Sequence, residues 1–130
     1  MMDWVNKYIG LPWVNGEQDC WWLVRQVYRE RLGIELPQIV VNADNLKEVI
    51  RTMTEHPVLN DWVPIDQPEN HCLTFFSNRQ HPTHVAVYLA YGGGRILHTY
   101  KRAGCVLQTP MDAKLSGWIN PQYFRHKSLS

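Results

Sequence analysis

The stretch DCWWLVRQVYRERLG, residues 19–33, carries the strongest structural signal in the chain. Its apolar residues recur three and four positions apart, which is the spacing of one face of an α-helix. These residues are Cys20, Leu23, Val24, Val27, Tyr28 and Leu32. Asp19 is a good N-cap and Gly33 is a good C-terminal stop, so we predict a helix over residues 19–32.

Weaker helical patterns lie on both sides of this stretch. Residues 3–10 are predicted to form a short helix, and residues 43–55 a second helix that Pro57 ends. Residues 58–70 contain prolines, and we interpret them as a connection anchored by Trp62.

The second half of the chain changes to the alternating pattern of β-strands. The predicted strands cover residues 72–76, 83–91, 95–100 and 104–109, with a short final strand that includes residues 122–125. Turn residues bound them, namely Asn78, Pro82, the glycine triplet at 92–94 and Gly104. Helices followed by an antiparallel meander predict an α+β fold, and the length predicts one domain over residues 1–130.

Composition excludes several classes of protein. Six Trp, six Tyr and three Phe in 130 residues are incompatible with a disordered chain. The formal net charge of +1 gives no reason to expect a nucleic-acid partner. No apolar window is long enough to span a bilayer, so membrane insertion is not expected. The start of the chain lacks the basic and apolar regions of a secretory signal, and we therefore expect synthesis in the cytoplasm.

Cys20 is the first candidate for chemistry because it falls in the first turn of the predicted helix. Free N–H groups and partial positive charge at a helix N-terminus favour a thiolate and can hold an oxyanion. The alternative is that Cys20 is a small buried hydrophobe, the usual fate of a free cysteine. Cys72 and Cys105 lie in apolar runs and are predicted to be structural. None of the three is in CxxC or CxxxC spacing, so neither a zinc knuckle nor a disulfide scaffold is expected.

His84 and His98 are the candidate bases, since they fall on neighbouring predicted strands. Direct pairing of the two would centre the turn on Tyr91, with a loop over residues 90–92. A turn centred on Gly93 would instead offset them by four residues, about 13 Å along the strands. Two facing histidines could also form a neutral structural pair or half of a metal site.

The order of these features resembles a known family. Asp19-Cys20 opens a helix, HVAVY at residues 84–88 forms a strand, and His98 lies on the next strand. The chain is similar in this to the NlpC/P60 family of papain-like cysteine peptidases, most of all to the branch encoded with phage tail-assembly genes. The resemblance runs from about residue 8 to residue 125. It implies a papain-like fold with N-terminal helices packed on an antiparallel sheet.

The resemblance also implies roles for individual residues. Cys20 would be the nucleophile, His84 the general base and His98 the group that orients the His84 imidazole. Asp19 and Trp13 would help to position the oxyanion or the substrate, with Trp13 standing where the family often has a tyrosine. Trp21-Trp22 departs from the small residues that commonly follow the family's cysteine, and the two indoles would narrow the groove or shift its position.

The activity implied is hydrolysis of amide bonds in peptidoglycan stem peptides, without a cofactor. The protein would be made in the host cytoplasm and carried to the bacterial wall by a phage tail, with other tail proteins as candidate partners. Two alternatives stay open. One is a structural tail-assembly module with little or no hydrolysis, and the other is a papain-like amidase that acts on an amide outside the cell wall.

Overall fold

The computed structural model describes residues 3–77 and 80–130. Its helices are α1 (Cys20–Leu32), α2 (Leu46–Glu55) and α3 (Pro110–Leu115), with short 3₁₀ helices at Asp3–Lys7, Pro57–Asp61 and Lys127–Leu129. Its strands are β1 (Trp62–Ile65), β2 (Leu73–Ser77), β3 (Pro82–Leu89), β4 (Arg95–Tyr100), β5 (Gly104–Gln108) and β6 (Ile119–His126).

The strands form one antiparallel sheet in the order β1-β6-β2-β3-β4-β5. Strands β2 to β5 are the predicted meander, and β6 lies between β1 and β2. Helices followed by an antiparallel sheet confirm the predicted α+β class, and the architecture is consistent with a papain-like fold.

Helix α1 has the predicted boundaries for the predicted reasons. The Asp19 side chain accepts a hydrogen bond from the Trp22 N–H, and Gly33 adopts the left-handed conformation at the other end. Its stripe is buried against the sheet, with Leu23, Val24, Val27 and Tyr28 almost inaccessible to solvent.

The sheet buries apolar side chains on both faces. Helix α1 packs with Val85, Val87 and Leu89 of β3 in the larger core. Side chains alternate along a strand, so Ala86 points to the opposite face. There it joins a smaller core with Phe76, Ile96 and Ala113 of α3. The two faces of β3 therefore serve different cores, and this separation sets the geometry of the site below.

Several predictions about individual elements were wrong. Residues 58–70 are not only a connection, because β1 lies within them and pairs with β6. Pro64 hid this strand from sequence reasoning, although proline is tolerated in an edge strand, where one side has no pairing partner. Helix α3 was not predicted at all. Residues 3–10 contain a short 3₁₀ helix, and α2 begins three residues later than predicted because Asn45 caps it.

The remaining strand predictions are right to within a few residues at their ends. The final strand is longer than predicted and covers all of β6. Asn78, predicted to follow the first strand, lies outside the described residues. Among the residues that are described, we find no helix with the length and apolar character needed to cross a bilayer.

Candidate active site

The site lies where β3 and β4 separate. Their pairing covers only residues 87–89 of β3 against residues 95–97 of β4. Towards its start β3 continues with β2 as partner, and towards its end β4 continues with β5. A gap therefore opens between the two strands at this end of the sheet, and their backbone groups there are available to other partners.

His84 and His98 bridge this gap with their side chains. His84 Nε2 lies 2.8 Å from His98 Nδ1. Both residues are buried, with 3% and 0% of their surface exposed. The hydrogen bond thus joins the two strands at a level where backbone pairing has stopped.

The register differs from both predicted alternatives. Tyr88 lies opposite Ile96, which centres the hairpin on Gly92. His84 and His98 are therefore offset by two residues and meet as diagonal neighbours on one face of the sheet. Direct pairing around Tyr91 was wrong, but the contact that it was meant to explain exists.

Cys20 approaches the same gap from the other side of the sheet. It is the first residue of α1 and packs against the larger core. The backbone N–H of Val85, next to His84 on β3, lies beside its thiol. His84 shares the opposite face with Ala86 and with its cross-strand partner Phe76. The thiol and the imidazole thus meet the gap from two directions.

A cavity of about 290 Å³ connects these elements. Four of the five predicted site residues line it, namely Trp13, Asp19, Cys20 and His84. His98, the fifth, is fully buried and hydrogen-bonded to His84. The hydrogen bonds of residues 3–77 and 80–130 include none between the Cys20 thiol and the His84 ring. Proton transfer therefore requires the two groups to approach each other across the gap.

Burial governs the protonation of the site. It raises the pKa of the Cys20 thiol to about 12, with a further increase from the Asp19 carboxylate. The N–H groups of Val85 and of the helix start act in the opposite direction, but more weakly. Burial therefore outweighs the effect of the helix N-terminus that the sequence led us to expect. At rest and near neutrality, Cys20 is a thiol.

The histidines are neutral for the same reason. Burial, and then the neighbouring His98, lowers the pKa of His84 well below the ordinary value. Burial lowers the pKa of His98 to about 4, against the effect of its hydrogen bond with Gln108. The resting pair of Cys20 and His84 is thus a thiol and a neutral imidazole, not an ion pair.

Aromatic rings hold the His84 imidazole in place. Trp118 stacks on it with ring centroids 4.2 Å apart and planes 23° from parallel. Tyr100 contacts it edge-on, at 6.1 Å and 86°. Sequence reasoning singled out neither residue for the site. The only available signal was that Tyr100 follows His98 by two positions and shares its face.

The other predicted residues have mixed surroundings. Asp19 is the N-cap of α1, and burial raises the pKa of its carboxyl. Trp13 lines the cavity, and its role in positioning stays a prediction. Cys72 and Cys105 are buried in the core, as expected of structural cysteines. In the part of the chain that the structure describes, His, Cys, Asp and Glu do not gather in any group of three that could hold a metal ion.

Some polar groups at the cavity have no partner. Trp62 Nε1, Thr83 Oγ1 and Trp118 Nε1 are buried and make no hydrogen bond within the described residues. All three residues line the cavity. An unpaired buried polar group is costly, so these three groups destabilise the fold at the cavity.

Comparison with known proteins identifies the family. The family model described as the NlpC/P60 family matches residues 10–120. The chain belongs to the NlpC/P60 family. The match includes Cys20, His84 and His98, and the NlpC/P60 family consists typically of cysteine peptidases and amidases. Membership in the NlpC/P60 family therefore indicates a peptidase or amidase that acts on the bacterial cell wall. The likeness to the phage-tail branch stays a prediction. No curated protein matches the chain.

Proposed function

We propose that this protein hydrolyses amide bonds in peptidoglycan stem peptides, with Cys20 as the nucleophile and His84 as the general base. The observation that carries the proposal is the gap between β3 and β4. Cys20 and His84 line one cavity there, and His98 holds the far side of the His84 ring through a 2.8 Å hydrogen bond. A nucleophile, a base and a group that orients the base are the parts that thiol catalysis needs.

The reaction would begin with proton transfer. One ring nitrogen of His84 is engaged by His98, so the other is available to take the Cys20 proton. Since the resting thiol is neutral, attack on the scissile carbonyl and loss of the proton occur together. The backbone N–H groups at the start of α1 then stabilise the oxyanion, which Asp19 supports by fixing that helix end.

The second half of the reaction returns the proton. The C–N bond breaks, His84 gives its proton to the leaving amine, and a thioester remains on Cys20. His84 then takes a proton from water, whose oxygen attacks the thioester. The acid product leaves, and the Cys20 thiol is restored.

The test is digestion of purified peptidoglycan by the wild type and by Cys20→Ala, with fragments identified by mass spectrometry. Cleavage by the wild type that disappears in Cys20→Ala supports the proposal, and the fragment masses identify the bond. Cys72→Ala is the matched control, because Cys72 is buried away from the cavity lining, and it should retain cleavage. No cleavage by the folded wild type would contradict the proposal and favour a structural tail-assembly module.

The cavity lining favours one second candidate. Apolar side chains dominate it on the side of α2, among them Ile39, Val41, Leu46, Val49, Met53 and Leu59. Stem peptides carry carboxylates, and Lys101 is the basic residue of the lining. These residues suit an amidase whose substrate has an apolar acyl part and lies outside the cell wall. A panel of fluorogenic amides with apolar and acidic acyl residues would separate the two candidates.

The setting is also a proposal. We propose that the protein acts from a phage tail at the bacterial wall, with other tail proteins as partners. This rests on the sequence resemblance of residues 8–125 to the phage-tail branch. Detection of the protein in purified virions, by mass spectrometry of tail fractions, would support it.

A further inference from the structure

We propose that Gln108 is a positioning residue that sets the proton positions of both histidines, so that His84 presents a bare Nδ1 as the base. The part of this inference that concerns catalysis rests on the proposed function. The proton positions themselves are a separate, measurable property of the protein.

Ser116 and Gln108 form the outer end of a row of hydrogen-bonded side chains. Gln108 Nε2 donates to Ser116 Oγ at 3.2 Å, and Gln108 Oε1 lies 2.7 Å from His98 Nε2. An amide oxygen can only accept, so His98 Nε2 carries the proton. A neutral imidazole has one N–H, and His98 Nδ1 is therefore bare.

The same logic passes to His84. The bare Nδ1 of His98 can only accept, so the hydrogen at their 2.8 Å contact belongs to His84 Nε2. His84 is neutral too, which leaves its Nδ1 without a proton. That nitrogen is the one that can take the proton of Cys20. A reversed amide of Gln108 would reverse every step and place a hydrogen on His84 Nδ1.

The fold explains why these side chains form a chain. Gln108 is the last residue of β5 and lies opposite Ile96, while His98 lies opposite Val106. His98 and Gln108 are thus diagonal neighbours, as His84 and His98 are on the strands before. The row crosses three strands on one face of the sheet.

Helix α3 completes the chain. It follows β5 directly, with Thr109 as its N-cap and Ser116 as its C-cap. The six residues of α3 bring the polypeptide back to β5, so that Ser116 contacts Gln108. Two residues after Ser116, Trp118 stacks on His84. The short helix supports both the outermost acceptor and the ring packed on the base.

The chemical consequence concerns the reaction rate rather than binding. If His84 Nδ1 carried the hydrogen, that nitrogen would have no lone pair with which to take the Cys20 proton, and the acceptor nitrogen would be the one that contacts His98. General-base catalysis contributes roughly 10²–10⁴-fold. Loss of the Gln108 acceptor should therefore lower kcat by about 10²-fold with little change in KM.

The first test is the ¹⁵N NMR spectrum of the histidine rings in the folded wild type, near neutral pH. We expect His84 and His98 to be protonated at Nε2 and bare at Nδ1. A wild-type spectrum with the proton on His84 Nδ1 overturns the inference. This measurement needs no substrate, so it stands even if the protein does not cleave peptidoglycan.

The second test compares three variants. Gln108→Leu removes the acceptor and should give mixed tautomers and the loss in kcat. Gln108→Glu keeps an acceptor oxygen, and it should restore the tautomers and part of kcat. Ser116→Ala removes only the outermost bond and should have the smallest effect. Wild-type tautomers and kcat in Gln108→Leu overturn the inference. If Gln108→Leu does not fold, the wild-type spectrum and Gln108→Glu decide.

Discussion

The cavity has two walls of different construction. On one side, His84 and Trp118 line the cavity, and His98, Gln108 and Ser116 lie behind them. We call these five residues the histidine wall, and their side chains are hydrogen-bonded or stacked. The apolar wall consists of Ile39, Val41, Leu46, Val49 and Met53. Leu46, Val49 and Met53 lie on α2, whereas Ile39 and Val41 lie in the irregular segment before it. Leu46 is 57% exposed. The groups that we propose for proton transfer thus lie on hydrogen-bonded strands, whereas part of the opposite wall is irregular and exposed, and we expect that part to adjust its shape more easily.

The largest effect should come from the histidine wall. His84→Ala removes the proposed base, and we expect kcat to fall by about 10³-fold. His81→Ala is the matched control, because His81 is exposed and lies outside the cavity lining. Steady-state kinetics on peptidoglycan fragments would show the difference. Equal losses in both variants would contradict the role given to His84.

The histidine wall should also make the fold sensitive to acid. The pKa of His98 falls from 6.5 in the unfolded chain to about 4 in the folded protein. The unfolded state then binds more protons between these values, so stability is complete above pH 6.5 and declines as pH falls towards 4. The expected loss from His98 is about 3 kcal/mol.

Urea unfolding at a series of pH values would measure this decline. His98→Gln cannot take up a proton, and its stability curve should be flatter between pH 6.5 and 4. An equally steep curve in that variant would show that other groups cause the acid sensitivity.

The reactivity of Cys20 should depend on pH without a plateau. Its pKa is raised to about 12, so the thiolate fraction increases about tenfold per pH unit from neutrality upwards. The rate of alkylation by iodoacetamide should follow this slope, with Cys20→Ala used to subtract Cys72 and Cys105. A constant rate between pH 5 and 8 would instead indicate a thiolate–imidazolium pair at rest.

The smallest effect on stability should come from the apolar wall. Leu46→Ala truncates an exposed side chain, and we expect a loss below about 0.5 kcal/mol. Its effect should fall on KM, because Leu46 lines the cavity. The same truncation at the buried Leu97 should cost about 2–5 kcal/mol. Thermal unfolding of Leu46→Ala and Leu97→Ala would measure the two losses of stability, and steady-state kinetics of Leu46→Ala would measure the change in KM. Equal losses of stability would contradict the difference between the exposed wall and the buried core.

Sequence reasoning predicted the parts of the fold that depend on local signals. Helix α1 was predicted because Asp19 and Gly33 mark its ends and its apolar spacing is regular. The contact between His84 and His98 was predicted, but the register of β3 against β4 was not. The glycine triplet at 92–94 allows several turn centres, and each centre gives a different register. Both expected turns and the observed one are centred on a residue, and His84 and His98 are an even number of positions apart. All three registers therefore place the two histidines on the same face of the sheet.

The missed parts depend on contacts between distant segments. β1 is short, contains Pro64 and is defined by its pairing with β6. Gln108 contacts His98 because of the register of β4 against β5, and it contacts Ser116 because α3, a helix of six residues, leads back to β5. The register between two strands produces no periodic pattern in the sequence, and a helix of six residues is too short to show one. Neither can therefore be recognised before the fold is known.

The position of β6 has a consequence for how the protein is made. This strand lies between β1 and β2 and is the only strand of residues 3–77 and 80–130 that pairs with β1, yet it is translated after the other five strands of the sheet. While the ribosome is still producing the meander, the β2 edge is open and the β1 segment has nothing to pair with. An open strand edge on a nascent chain invites association with other chains. Synthesis that stalls before β6 should therefore yield aggregates, and a continuous sheet can form only once this strand has left the exit tunnel.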